Sequence, residues 1–219
     1  SMLGSLYKRN GDLNGALELF QQSIAETRSR EDELGVLNSM SALIDLFLYW
    51  NIPEYADMYA SEAVAVEKKM TRNNPMISAQ TYINKGRALH QLGDTDSISF
   101  YLDYAREFCG ELPYNSGMVD VDLLSGTCMT EIGGEHLQQG IEELLAVVEK
   151  GTAANRAKAY HQLARTYLKD GQVKDAEIVL DSLYNILNHN GLPLHILHLD
   201  YKPILEHYLQ TGNQIKVEQ

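Results

Sequence analysis

The chain has 219 residues, 44% hydrophobic and 22% charged, an ordinary balance for folded protein and far from the charge-dense profile of disorder. Eighteen basic residues against thirty acidic ones give a net charge of -12, which repels phosphate backbones and anionic lipid and excludes nucleic acid as an expected direct ligand. The best apolar stretch, Leu43 to Trp50, is broken by Asp45 and falls short of the roughly 20 residues a membrane helix needs.

A turn signal recurs along the chain: Gly11-Asp12, Asn51-Ile52-Pro53, Gly93-Asp94, Gly133-Gly134, Gly171-Gln172 and Gly212-Asn213. From 11, the turns at 51, 93, 133, 171 and 212 follow at steps of 40, 42, 40, 38 and 41. One such turn per unit at this period is the mark of stacked helix-turn-helix repeats. In chain order the turns predict a truncated helix to Asn10, then helices over 13–28, 32–50, 53–72, 75–92, 95–110, 115–132, 136–150, 153–170, 173–189 and 193–211. Pro53, Pro75 and Pro193 suit helix starts, and Pro203 is expected to kink or delay the last helix. The glycine of each turn takes the left-handed conformation that ends a first helix, and Asn51 is the next-best residue for it.

Residue types repeat with the turns. Four before the turn stand Tyr7, Phe47, Leu89, Met129, Tyr167 and Tyr208; seven before it stand the small Gly4, Gly86, Gly126 and Ala164. Five after it come Ala16, Ala56, Ile98 and Ala176, with Gly140 joining them if the fourth repeat carries a two-residue insertion. Nine after it come Phe20, Ala60, Leu102 and Leu180, and Leu144 on the same condition. Large and small side chains at fixed offsets are what two closely packed helices require.

The pattern resembles the tetratricopeptide repeat family, carried most fully by Leu3-Gly4, Tyr7, Ala16 and Phe20, by Tyr82, Gly86, Gly93 and Ala105, and by Tyr160, Leu163-Ala164, Tyr167, Gly171 and Ala176. Its unit of about 40 residues exceeds the family's basic 34 and resembles the extended variants of bacterial regulators and motor light chains. The resemblance implies an all-α fold, an alpha-alpha superhelix or TPR-like solenoid of about five and a half helical hairpins. The whole chain, 1–219, is read as one repeat domain with units at about 1–30, 31–72, 73–112, 113–151, 152–190 and a partial 191–219. Both ends fall inside a repeat, and Ser1-Met2 precedes it without a signal peptide, so a piece of a longer protein is expected. A soluble segment follows, cytoplasmic by preference, or periplasmic if the parent is a membrane-anchored sensor.

In this family the first helices line a concave groove, the usual ligand site. Counting back from each turn gives its expected exposed positions: Asn38, Ser41, Asp45, Leu48 and Tyr49; Gln80, Ile83, Arg87, His90 and Gln91; Asp120, Leu123, Thr127, Thr130 and Glu131; Lys158, His161, Arg165, Leu168 and Lys169. The candidate groove set is Asn38, Asp45, Tyr49, Gln80, Arg87, His90, Gln91, Thr127, Lys158, His161, Arg165 and Lys169. Arg87 and Arg165 share one offset, and a guanidinium fork matches a carboxylate, so a peptide with acidic side chains or a free C-terminal carboxylate is the expected partner. The competing reading makes these arginines solvated charges balanced by Asp45, Asp120, Glu131 and Glu206. The Lys and Asn set with which chaperone-binding members hold a carboxylate is not found in adjacent repeats.

Other candidates point to structure. Cys109 and Cys128 lack close spacing or neighbouring metal ligands, and on the expected helices they stand about two turns out of register, so free thiols are predicted. His195 and His198, near Asp200 and His189, read as an amphipathic helix before a metal site. Tyr49, Trp50, Tyr55 and Tyr59 read as hairpin packing before a partner hot spot, and Glu142-Glu143 and Glu31-Asp32-Glu33 as helix-start acids. No nucleophile with a base, no phosphate loop and no Cys-His set is present, so no enzyme and no cofactor is expected. The function read here is a non-catalytic protein- or peptide-binding scaffold; the alternative is a ligand-sensing module of a larger bacterial signal-transduction or transcription-regulatory protein. End-to-end self-association is a further expectation, since uncapped repeat ends expose apolar surface.

Overall fold

The computed structural model describes residues 12–70, 74–110 and 116–190. The expected helices before Asn10 and over 193–211, with His195, His198, Asp200 and Pro203, lie outside them. Among the described residues there are nine α-helices and no strand: α1 Leu13–Ser29, α2 Glu33–Tyr49, α3 Pro53–Glu67, α4 Pro75–Leu92, α5 Ile98–Gly110, α6 Ser116–Ile132, α7 Leu137–Lys150, α8 Ala153–Lys169 and α9 Val173–Asn190. On the expected repeat bounds, α1 falls in repeat one and α2/α3, α4/α5, α6/α7 and α8/α9 fall in repeats two to five. The chain divides into two compact units, Ser1–Leu124 and Ser125–Gln219, the division falling within α6.

Local chemistry sets the helix ends. Asp12, Asp32, Asn74 and Thr152 cap α1, α2, α4 and α8, each accepting from the backbone N–H three residues on, and Pro53 and Pro75 open α3 and α4. At the C-termini, Asn51, Gly93 and Gly171 have φ of 56°, 78° and 75°. Beyond them Ile52 N–H returns to Phe47 O, Asp94 N–H to Leu89 O and Gln172 N–H to Tyr167 O, at 3.0, 3.1 and 2.8 Å. This is the six-to-one closure that a left-handed residue permits. Two expected boundaries moved. α3 stops at Glu67, not 72, where the chain tightens into successive turns from Lys68 to Met70. α5 starts at Ile98, not 95, because Asp94 holds Ser97 through its backbone N–H at 3.3 Å and its hydroxyl at 2.9 Å. Where the two-residue insertion of repeat four was expected, the chain makes a three-residue 3-10 turn, Gly134–His136.

In the N-terminal unit, α1 to α5 pack each on the next, and α2 also lies against α4, first helix on first helix. The positions with fixed offsets are buried: Ala16, Phe20, Ala56, Ala60, Ile98, Leu102 and Ala105 are at most 2% exposed. In the C-terminal unit Leu144, Leu163, Ala164 and Ala176 are fully buried. Each large apolar side chain so buried contributes about 1.5–3 kcal/mol. The small positions are tight. A Cβ on Gly126 would lie 2.9 Å from Gly140 O and 2.9 Å from Leu144 Cγ, so α6 and α7 approach at two facing glycines. On the other side of the first hairpin, Phe47 stacks on Tyr55 and Tyr59 at 5.3 and 5.7 Å and meets Trp50 edge-on at 6.0 Å, the packing role expected for three of those four aromatics.

Candidate functional site

The first-helix face of the N-terminal unit carries α2 and α4 side by side. Asn38, Tyr49 and Gln91 are exposed there; Ser41, Asp45, Gln80, Arg87 and His90 are half-buried. On the first helices of the C-terminal unit, Lys169 is exposed and Thr127, Lys158 and Arg165 are half-buried. His161 corrects the expectation of exposure at 5% exposed, and so do Ile83 at 3%, Leu48 at 7% and Thr130 at 3%. At the offset of His161 and Ile83, ten before the turn, Ser41 and Leu123 are half-buried, so that position is partly or wholly covered in every repeat described.

The two arginines meet carboxylates of the preceding repeat. Arg87 Nη1 stands 2.6 Å from Asp45 Oδ1, and Arg165 Nη1 stands 3.8 Å from Glu131 Oε1. Beneath each arginine lies an amide that the sequence reading did not single out. Asn84 Nδ2 donates to Ser41 Oγ at 2.8 Å, and Asn84 Oδ1 accepts from Arg87 at 3.1 Å and from Gln80 Nε2 at 2.9 Å. Two repeats later, Gln162 Nε2 donates to Thr130 Oγ1 at 3.0 Å and its oxygen accepts from Arg165 at 3.5 Å. Asn84 and Gln162 both stand nine before their turns. Their signal in the sequence was an amide on an otherwise apolar helix face.

A second polar cluster lies where α3, α4 and α5 meet. Lys85 Nζ contacts Asp57 and donates to Ser61 Oγ at 2.9 Å, with the Tyr101 ring centroid 5.7 Å away. Tyr82 OH donates to the buried Glu67 carboxylate at 2.8 Å. Burial, then the hydrogen bond and charge of Glu67, push the Tyr82 phenol well above its ordinary range. Tyr82 also stacks on Tyr104 at 5.1 Å and Phe108 at 5.8 Å, so this cluster is sealed by rings.

Cys109 and Cys128 are free and buried. Burial, then the charge of Glu131, pushes the Cys128 thiol up to about 12, and burial with Asp120 and Asp122 raises Cys109, the reverse of an activated nucleophile. Among the described residues no group of three or more His, Cys, Asp or Glu is placed to hold a metal, and no helix is long and apolar enough to cross a membrane.

In sequence, residues 1–34 match the tetratricopeptide repeat family. No curated protein matches the chain. In structure it is similar to a Podosopora anserina kinesin-light-chain-type protein of nearly identical TPR-like repeats, at 20% identity and TM-score 0.61, over 86% of this chain and 93% of that one. A point variant of that same protein matches at 20% identity and TM-score 0.63, over 87% and 93%. The chain has the tetratricopeptide-like repeat fold. A tetratricopeptide-like repeat is typically a protein-interaction scaffold.

Proposed function

We propose that this tetratricopeptide-like chain is a non-catalytic scaffold that binds a protein or peptide along its first helices. The observation that supports it most is the division of labour on α2 and α4: their apolar stripes are buried against α1, α3 and α5, while Asn38, Tyr49, Gln80, His90 and Gln91 remain wholly or partly open on one face. Such a face, polar at its rim and rigid below, suits an extended segment that supplies its own backbone hydrogen bonds.

Within this reading Arg87 and Arg165 would meet acidic side chains or a C-terminal carboxylate, and an incoming acid must displace Asp45 or Glu131 to do so. Neither displacement is costly, because all four side chains keep about a third or more of their surface in solvent. The test is a peptide found by display against the chain. Its binding should be lost in Asn38→Arg and Gln91→Trp and kept in Met58→Ser and Phe100→Ser, which alter exposed second-helix residues. The opposite pattern would move the site to the other face. Unchanged affinity in Arg87→Ala with Arg165→Ala would remove the carboxylate from the reading.

A further inference from the structure

The second helices of the N-terminal unit present apolar side chains to solvent at a repeated position. Seven residues after the turns at 51 and 93 stand Met58 on α3 and Phe100 on α5. They are 51% and 52% exposed, and Tyr55, one turn before Met58, is 54% exposed. In the C-terminal unit the same offset holds Ile178, 64% exposed; in repeat one it holds Glu18. A single exposed apolar residue is ordinary, whereas a set on neighbouring helices marks a contact surface.

The geometry of α4 brings this set together. Both α3 and α5 pack on α4, and they converge at Lys85, whose Nζ contacts Asp57 of α3 and stands 5.7 Å from the Tyr101 ring centroid of α5. Met58 and Phe100 are chain neighbours of those two residues. The apolar side chains are also held in place: Phe100 meets Tyr101 and Tyr104 edge-on at 5.2 and 5.1 Å, and Tyr55 stacks on Phe47 at 5.3 Å.

Charge decides what can cover them. Helix α3 carries no basic residue, and Arg106, the single one on α5, already meets Asp103 at 3.5 Å. Arg28 of α1 is likewise committed to Glu62 of α3, and Lys85 to Asp57. Around the apolar residues Glu54, Asp96 and Glu107 are exposed: Glu54 and Asp96 stand one turn before Met58 and Phe100, and Glu107 two turns after Phe100. The exposed Lys68 and Lys69 follow the opposite end of α3. Such a rim repels nucleic acid and anionic lipid, and a wholly apolar partner would strip water from its carboxylates with nothing in exchange.

We propose that the outer face of α3 and α5 is a second docking surface, and that its partner is a basic amphipathic helix. The partner's apolar stripe covers Tyr55, Met58 and Phe100, and its flanking Lys and Arg meet Glu54, Asp96 and Glu107. This surface is separate from the first-helix face and does not depend on it.

The probe is a short synthetic helical peptide of leucines and lysines, its leucines on one face, titrated calorimetrically against the full chain at low salt. One-to-one binding is expected, weakened about tenfold by Met58→Ser with Phe100→Ser, about threefold by Glu54→Gln with Glu107→Gln, and steadily by added salt. Asn38→Ala with Gln91→Trp, on the first helices, should leave it unchanged. Urea midpoints check each variant; should the serine pair be destabilised, the exposed glutamine pair decides. Equal binding of a peptide with Glu for Lys, or with Ser for Leu, would overturn the proposal, as would indifference to both α3/α5 pairs or loss in the first-helix pair. A concentration-dependent dimer that the serine pair abolishes would overturn it too, by showing a second copy on this surface. Each of these failures leaves the first-helix scaffold reading standing.

Discussion

Asn84, 1% exposed, donates through Nδ2 to Ser41 Oγ at 2.8 Å and so ties the first helix of repeat three to the first helix of repeat two. Its oxygen serves Gln80 and Arg87 at the same time, which leaves the amide with no spare capacity on that atom. An asparagine in this place is a structural tie.

Replacing Asn84 with Leu strips an acceptor from two donors and a donor from Ser41 in a buried setting. The loss is expected at about 2–3 kcal/mol, since orphaned buried partners cost more than the net value of the bonds they made. Urea denaturation of Asn84→Leu against Gln80→Ala, which removes one of the three bonds at a half-buried site, should give the larger shift to Asn84→Leu. Equal shifts would mean that the tie is not cooperative.

Two ion pairs of similar appearance should differ sharply in value. Arg87 and Asp45 keep 38% and 41% of their side-chain surface in solvent, so Arg87→Ala should change stability by less than about 1 kcal/mol. Lys85 keeps 9%, and Lys85→Met strands Asp57 beneath it. That loss is expected near 3 kcal/mol, the lower end for a broken buried pair, because Asp57 retains 26% exposure and can recover some water. Adding Asp57→Leu to Lys85→Met should recover part of the loss, and denaturation midpoints of the single and double variants decide it.

Gly126→Ala and Gly93→Ala test two different reasons for a glycine. At Gly126 the new methyl meets Gly140 O and Leu144 Cγ at 2.9 Å, and overpacking between α6 and α7 should cost about 1–3 kcal/mol. At Gly93 a methyl meets nothing within 4 Å, but φ is +78°, a conformation worth about 1–2 kcal/mol against an L side chain. Gly93→Asn should regain much of that second loss, and Gly126→Ser none of the first.

Stability should fall in alkali in a defined order. The native Cys128 thiol keeps its proton to about 12, whereas an ordinary thiol loses it near 9.0. Above that pH the unfolded chain therefore binds fewer protons than the native one, and stability drops as pH rises. The contribution is intact below pH 9 and is lost between 9 and 12; Tyr82 and Tyr167, also raised by burial, act with the same sign from 10 upward. Cys128→Ala should flatten the decline between pH 9 and 10, measured as urea midpoints. Parallel curves for the two proteins would contradict the assignment.

Helix α4, expected and found at 75–92, shows how much of the fold was legible. Asn74, Pro75 and Gly93 are local signals that act within a few residues. The extra length of repeat four was legible as a break in a fixed count, but the 3-10 turn Gly134–His136 that takes it up was not. Nor was the seam. Asn84 and Gln162 pair with hydroxyls 43 and 32 residues away, and that choice depends on how far one first helix slides along the next. His161 is buried, where counting back from the turn had placed it in the open. Arginine offsets were visible, but their acids stand at different offsets, six before the turn for Asp45 and two before it for Glu131.

Because Asn84 reaches a serine while the longer Gln162 reaches a threonine, each seam is matched to the helix behind it. Transplanting repeat three into the place of repeat five would set an amide one methylene shorter opposite Thr130, whose hydroxyl would keep only its own bond to Thr127 O. The hairpins therefore look alike in their greasy cores yet carry different keys along their edges, and reordering them should yield a chain that collapses without finding its proper neighbours.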